Sequence, residues 1–292
     1  MNRIFLLCLL RQAAALGHTH RHHSSSIRRS LSSPRSILKP LDSMKEPLEG
    51  SGLDSREPTG APGSLERLCS ISLHACQLMN PLIAVIYQQL VSQNDEANGA
   101  SERSNSNEMK KLKKDNSAFT IADGMVQRLL IKVLFSRIKF RDIVGEEEED
   151  HGEGKAEDND TEEWWSKVEG LTIPQELKPL VDSTRSEMES LAARYLSLGS
   201  RDDDSDSGEC NNNYEQLTIF IDPIDGTREF SSGKGEQCSV CIGFANEHGK
   251  SVAGVVYRPL SLPKPTWVAG AKSEGYAMCD FGEKTSASTN NG

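Results

Sequence analysis

From residue 65 onward, apolar side chains recur at three- and four-residue intervals: Leu68, Ile71, Leu73, Ala75, Leu78, Leu82, Val85, Ile86 and Leu90. This spacing predicts an amphipathic helix. Ser64 is its N-cap, Glu66 and Arg67 fall in its first turn, and Pro81 kinks or divides it. His74 lies within the pattern and reads as a structural histidine. From Gln93 to Asn107 the chain is polar and aperiodic, which predicts a loop, and Lys110–Lys114 reads as a solvated basic turn. Helical spacing returns after Thr120-Ile121-Ala122-Asp123, with Met125, Leu129, Leu130, Val133 and Leu134 on one side. A third helix is predicted over Ser183–Leu198, ended by Gly199, with Pro179 interrupting the segment that Pro174 opens.

The remaining apolar runs are short and rich in β-branched residues, which predicts strands. They are Phe140–Val144, Leu217–Ile221, Gln237–Ala245, Ser251–Tyr257, Thr266–Ala271 and Gly275–Met278. Asn246-Glu247-His248-Gly249 is a hairpin turn with His248 facing solvent. The runs Gln237–Ala245 and Ser251–Tyr257 on either side of this turn predict an antiparallel hairpin.

Composition adds boundaries. Apolar residues make up 36% of 292 residues and aromatics 5%, too few to pack the whole chain. No Asp or Glu precedes Asp42, while Arg3, Arg11, Arg21, Arg28, Arg29, Arg35 and Lys39 alternate with serine clusters. Residues 1–40 therefore read as an organellar transit peptide, mitochondrial in the first place and chloroplast in the second. Residues 41–63 read as a linker, 64–280 as the folded domain with acidic insertions near 146–163 and 200–213, and 281–292 as a disordered tail. The net charge of −10 argues against nucleic acid and acidic membranes as partners. The seven cysteines are irregularly spaced and read as reduced thiols, Cys238 and Cys241 included.

Candidate chemistry concentrates at Asp222-Pro223-Ile224-Asp225-Gly226-Thr227. The apolar run before it predicts a buried strand that stops at Asp-Pro. Gly226 allows a tight turn. Two carboxylates and a hydroxyl then share one rigid turn, either to cap backbone amides or to hold a hard cation such as Mg²⁺. Upstream, Ile143-Val144-Gly145-Glu146-Glu147 ends an apolar run in paired acids, and Asp123 stands at a helix start, where the macrodipole alone also favours an acid.

Taken together, Thr120–Asp123, Gly145-Glu146-Glu147 and Asp222–Thr227 resemble the lithium-sensitive, magnesium-dependent phosphatase superfamily that includes inositol monophosphatase. The set looks closest to its 3′(2′),5′-bisphosphate nucleotidases, the plant members in particular, and Arg228-Glu229-Phe230 favours that branch. The resemblance implies an α+β fold, layered and sugar-phosphatase-like, with a largely antiparallel sheet flanked by helices, and a Mg²⁺ cofactor. It implies that Glu146, Asp222 and the Ile224 carbonyl bind one ion, and that Asp222 bridges to a second held by Asp225. Asp123 and Thr227 are implied as the catalytic pair that positions and deprotonates water. Glu147 is implied in an outer-shell role, and Asp225, Gly226 and Thr227 contact substrate. The implied substrate is a small phosphorylated nucleotide, adenosine 3′,5′-bisphosphate, cleaved to AMP and phosphate, a step of sulfur metabolism.

One departure stands against the match. Members of that family carry a further metal-binding aspartate in a Trp-Asp context within a second domain, and no Trp-Asp follows Asp225 here. The expectation is a chain with that second domain absent and weak turnover by itself. The alternatives are an inositol (poly)phosphate phosphatase and a truncated, catalytically weak paralogue that binds nucleotide or a partner.

Overall fold

A computed structural model describes residues 58–99, 109–112, 118–147, 164–168, 170–196 and 214–281. The transit-peptide, tail and most linker and acidic-insertion expectations fall outside these residues. The chain is α+β: a six-stranded mixed sheet with helices packed against it. The sheet runs in the order β10-β9-β8-β7-β6-β3. Its strands are β3 (Asp142–Gly145), β6 (Thr218–Asp225), β7 (Ser239–Ala245), β8 (Ser251–Arg258), β9 (Thr266–Ala271) and β10 (Tyr276–Asp280). Every neighbouring pair is antiparallel except β3 with β6.

Strand alternation explains the core. Ile219 of β6 lies opposite Phe244 of β7, and Ile221 opposite Ile242. Ile242 in turn pairs with Val255 of β8, and Val255 with Ala269 of β9. One sheet face is thus apolar across four strands, and all of these side chains are buried. Helix α1 (Leu65–Gly99) packs on β8 and β9, and the short helix α2 (Ile121–Arg128) packs on β6. Helix α3 (Lys178–Leu196) lies against α1. By length and composition α1 could cross a membrane. In the fold its residues Leu68, Ile71, Met79, Leu82, Ile83, Ile86 and Leu90 are core.

Several local expectations are corrected. Pro81 does not divide α1, and the helix continues past Gln93 to Gly99. Once a helix is nucleated and packed, each added residue gains a backbone bond, so a polar C-terminal stretch still propagates. Lys110–Lys114 is not simply a solvated turn: β1 (Lys110–Leu112) pairs antiparallel with β2 (Ala118–Thr120). A second small ladder joins β4 (Lys167–Val168) to β5 (Leu171–Thr172). Helix α2 is not amphipathic but buried on all sides from Ile121 to Gln127, and it passes into a π-helical segment, Leu129–Leu134. Pro179 interrupts nothing. It is the second residue of α3, in the first turn, where a missing N–H leaves no helical bond unmade.

Candidate active site

The site grows from the single parallel pairing in the sheet. β3 and β6 run side by side, with Gly145 opposite Ile221. The Glu146 N–H donates to the Ile221 carbonyl at 2.9 Å, extending the ladder by one bond. Glu146, just past the end of β3, and Asp222, within β6, therefore lie side by side, although the chain between them is long. Asp222 lies close enough to Glu146 for the two carboxylates to repel one another.

The strand does not stop at Asp222, as Asp-Pro predicted. β6 runs to Asp225. The register shifts between Asp222, opposite Cys241, and Asp225, opposite Ser239, which leaves an extra residue on β6. Pro223 sits in this bulge, where no ladder donor is required of it. Gly226 follows at φ +95°, a left-handed conformation that favours glycine, and it starts the short helix α4 (Thr227–Ser231). The Cys238 thiol donates to the Gly226 carbonyl at 3.2 Å and braces the turn.

Asp123 reaches the same place from α2. It is fully buried. The Thr120 N–H and hydroxyl both donate to its Oδ2, at 2.8 and 2.6 Å. Its Oδ1 lies 2.8 Å from the Thr227 hydroxyl. The same hydroxyl lies 2.9 Å from the Ile224 carbonyl, so its one hydrogen can serve either acceptor. Asp123 is thus both a helix-start acid and part of the site. Its Oδ2 caps the helix and its Oδ1 faces Thr227.

Crowding governs the electrostatics. Burial pushes the Asp123 carboxyl from 3.8 up to about 7, with the Glu147 charge adding to the rise and the Thr120 and Thr227 bonds opposing it. Burial, then Glu146, Asp225 and Asp123, push Asp222 well above the ordinary carboxylate range. Glu147 is buried, while Glu146 is exposed at the rim. The predicted residues Asp123, Glu146, Glu147, Asp222, Ile224, Asp225, Gly226 and Thr227 thus gather around the end of β6.

Do these residues suit a divalent ion? Asp222 Oδ1 is buried with no hydrogen-bond partner. A buried, unpartnered carboxylate oxygen among other acids is costly unless a cation or a proton meets it. All candidate donors are hard oxygens, the chemistry of Mg²⁺. Among the described residues, no group of three or more His, Cys, Asp or Glu side chains encloses an ion by itself. Mg²⁺ does not require such a cage, since it binds through one or two carboxylates and keeps water and phosphate oxygens as its other ligands. The donor set fits.

Two contributors escaped the sequence reading. Thr120 holds Asp123 in place, and its signal was the Thr-x-x-acid spacing of a capping box. Cys238 braces Gly226 from the residue just before β7, and nothing local marks it. Phe230, next to the site in sequence, is core: it is fully buried, its ring 5.3 Å from that of Tyr87.

Residues 181–291 match the inositol monophosphatase family. That segment contains Asp222–Thr227 and excludes Asp123, Glu146 and Glu147. The human 3′(2′),5′-bisphosphate nucleotidase 1 is 44% identical over 45 residues, 15% of this chain and 14% of its own length. Its Rattus norvegicus counterpart is 42% identical over 45 residues, with the same coverage. The match thus spans about one-seventh of the curated relatives. A crystal structure of the extragenic suppressor protein suhB from Bartonella henselae aligns with 35% of this chain and 42% of its own, at 24% identity and a TM-score of 0.20.

Proposed function

We propose that this chain is a Mg²⁺-dependent phosphatase acting on adenosine 3′,5′-bisphosphate, releasing its 3′-phosphate and leaving AMP. The observation that carries the reading is the contact of Asp123 Oδ1 with the Thr227 hydroxyl, beside the unpartnered Asp222 Oδ1. The family match over residues 181–291 supports phosphate-ester chemistry. The short likeness to the bisphosphate nucleotidases, together with Arg228-Glu229-Phe230, supports the nucleotide substrate. The acid-free stretch of residues 1–40 supports an organellar address, mitochondrial before chloroplast.

Glu146, Asp222, Asp225 and the Ile224 carbonyl would hold the metal. When bound, Mg²⁺ supplies charge neutralisation for the phosphate and the leaving oxygen, and acidifies water. The residues of the chain do the rest. The Thr227 hydroxyl orients the attacking water and relays its proton to Asp123 Oδ1, whose carboxyl, raised to about 7, is poised as a base near neutral pH. Water oxygen bonds to phosphorus, the ester P–O bond breaks, and the leaving 3′-oxygen takes a proton. Phosphoryl transfer needs mainly positioning and charge stabilisation, so no nucleophilic Ser or Cys is required.

The test is phosphate release from adenosine 3′,5′-bisphosphate and from inositol monophosphate, with and without Mg²⁺, for the chain and for Asp222→Ala. Mg²⁺-dependent release from the nucleotide, lost in the variant, is the expected result. Release from inositol monophosphate alone would overturn the substrate, and no release from either by a folded chain would overturn the activity.

A further inference from the structure

Gln127 is a buried polar side chain that the mechanism above does not use. Its Nε2 donates to the Glu147 carbonyl at 2.8 Å, and the Glu147 N–H donates back to its Oε1 at 3.0 Å. The side-chain amide therefore binds one residue's backbone at both polar groups, as a neighbouring strand would. The orientation of the amide is unambiguous, because the backbone N–H can only donate and the carbonyl can only accept.

Two further observations make this a built feature. Gln127 follows Asp123 by four positions on α2, so one helix face carries the buried acid and the clamp. In addition, a Cβ placed on Gly145 would lie 2.3 Å from Gln127 Oε1 and 2.5 Å from its Cδ. The amide rests directly over the Gly145 backbone, and any side chain there would displace it. The Glu146-Glu147 backbone is then held from two sides, by the β6 carbonyl of Ile221 and by Gln127. The two acids are divided accordingly: Glu146 meets Asp222, and Glu147 bears on Asp123.

We propose that Gln127 is a positioning residue that sets the Glu146–Glu147 pair against Asp123 and Asp222 and so tunes divalent-cation affinity. The proposal rests on the metal-dependent reading above. A purely structural glutamine would hold the loop without affecting the ion, and the test separates the two.

Gln127→Met keeps the approximate volume and removes both polar groups. Gln127→Glu keeps an acceptor for the Glu147 N–H and loses the donor, and it stands in if the methionine variant does not fold. Each full chain, with Asp222→Ala as reference, is examined by hydrogen exchange at the Glu147 amide and by calorimetric titration with MgCl₂. In Gln127→Met we expect Glu147 exchange to accelerate at least tenfold and the Mg²⁺ dissociation constant to rise about tenfold, as for other residues that orient ligands. In Gln127→Glu we expect the affinity to fall while the amide keeps part of its protection. Faster exchange with Mg²⁺ affinity within about twofold of the parent would overturn the proposal, as would unchanged exchange. If the parent binds no Mg²⁺ and Asp222→Ala changes nothing, the metal reading fails. Glu147 exchange then still reads the clamp by itself: protection lost in Gln127→Met leaves a clamp of structural role only, protection retained leaves none, and either overturns the tuning of an ion.

Discussion

Replacing Asp123 with Asn should make the metal-free protein more stable at pH 8 while leaving its shape intact. The reason lies in where Asp123 sits. In an unfolded chain its carboxyl ionises near 3.8, but burial holds it protonated up to about 7 in the fold. As pH rises through that window, the unfolded chain releases its proton first, so stability falls from 3.8 upward and the loss is complete above 7. The full gap corresponds to about 4 kcal/mol, of which about 2.5 kcal/mol falls between pH 5 and pH 8. Asn carries no charge to desolvate. Its Oδ1 can accept from the Thr120 N–H and hydroxyl, and its Nδ2 can donate to the Thr227 hydroxyl, which then donates to the Ile224 carbonyl. The assay is urea unfolding in the presence of chelator, run on parent and variant at both pH values. The variant should gain on the parent by about 2.5 kcal/mol between pH 5 and pH 8. Parallel stabilities, within about 0.5 kcal/mol across that range, would refute the claim that a desolvated carboxylate strains the site.

Other perturbations address the scaffold. Gly226→Ala places a side chain at φ +95° and 3.4 Å from the Cys238 sulfur, so chemical denaturation should read a loss of about 1–2 kcal/mol. Glu274 accepts the Leu65 and Glu66 N–H groups at 2.8 and 2.7 Å, capping the start of α1 from the turn between β9 and β10. Glu274→Ala should cost about 1 kcal/mol by the same measurement, and Glu274→Gln, which keeps an acceptor, less.

Much of the sheet was legible because strand side chains alternate faces locally. The hairpin of β7 and β8 and the strand β9 followed from runs of Val, Ile and Ala between turn residues. The misjudged pieces share a physical cause. Pro81, Pro179 and Pro223 each read as a break. Yet a proline is tolerated in a packed helix, in a first turn and at a bulge, and only the surrounding contacts tell which case holds. The segment from Ile121 read as amphipathic because its apolar residues from Met125 to Leu134 recur on one side. Helix α2 is buried all round because its polar residues Asp123 and Gln127 find partners on other elements.

By itself, the sequence determined the local chemistry: which carboxylates flank Gly226 and Gly145, which acid starts a helix, and where a glycine allows a tight turn. These depend on neighbours within a turn or two of the chain. Only the tertiary structure decided that Asp123, Glu146, Glu147 and Asp222 meet. The parallel pairing of β3 with β6 and the seat of α2 on β6 bring together residues far apart in sequence. The raised carboxyl of Asp123, the unpartnered oxygen of Asp222 and the Gln127 clamp arise from that meeting, because desolvation and hydrogen bonding depend on what surrounds a group in space.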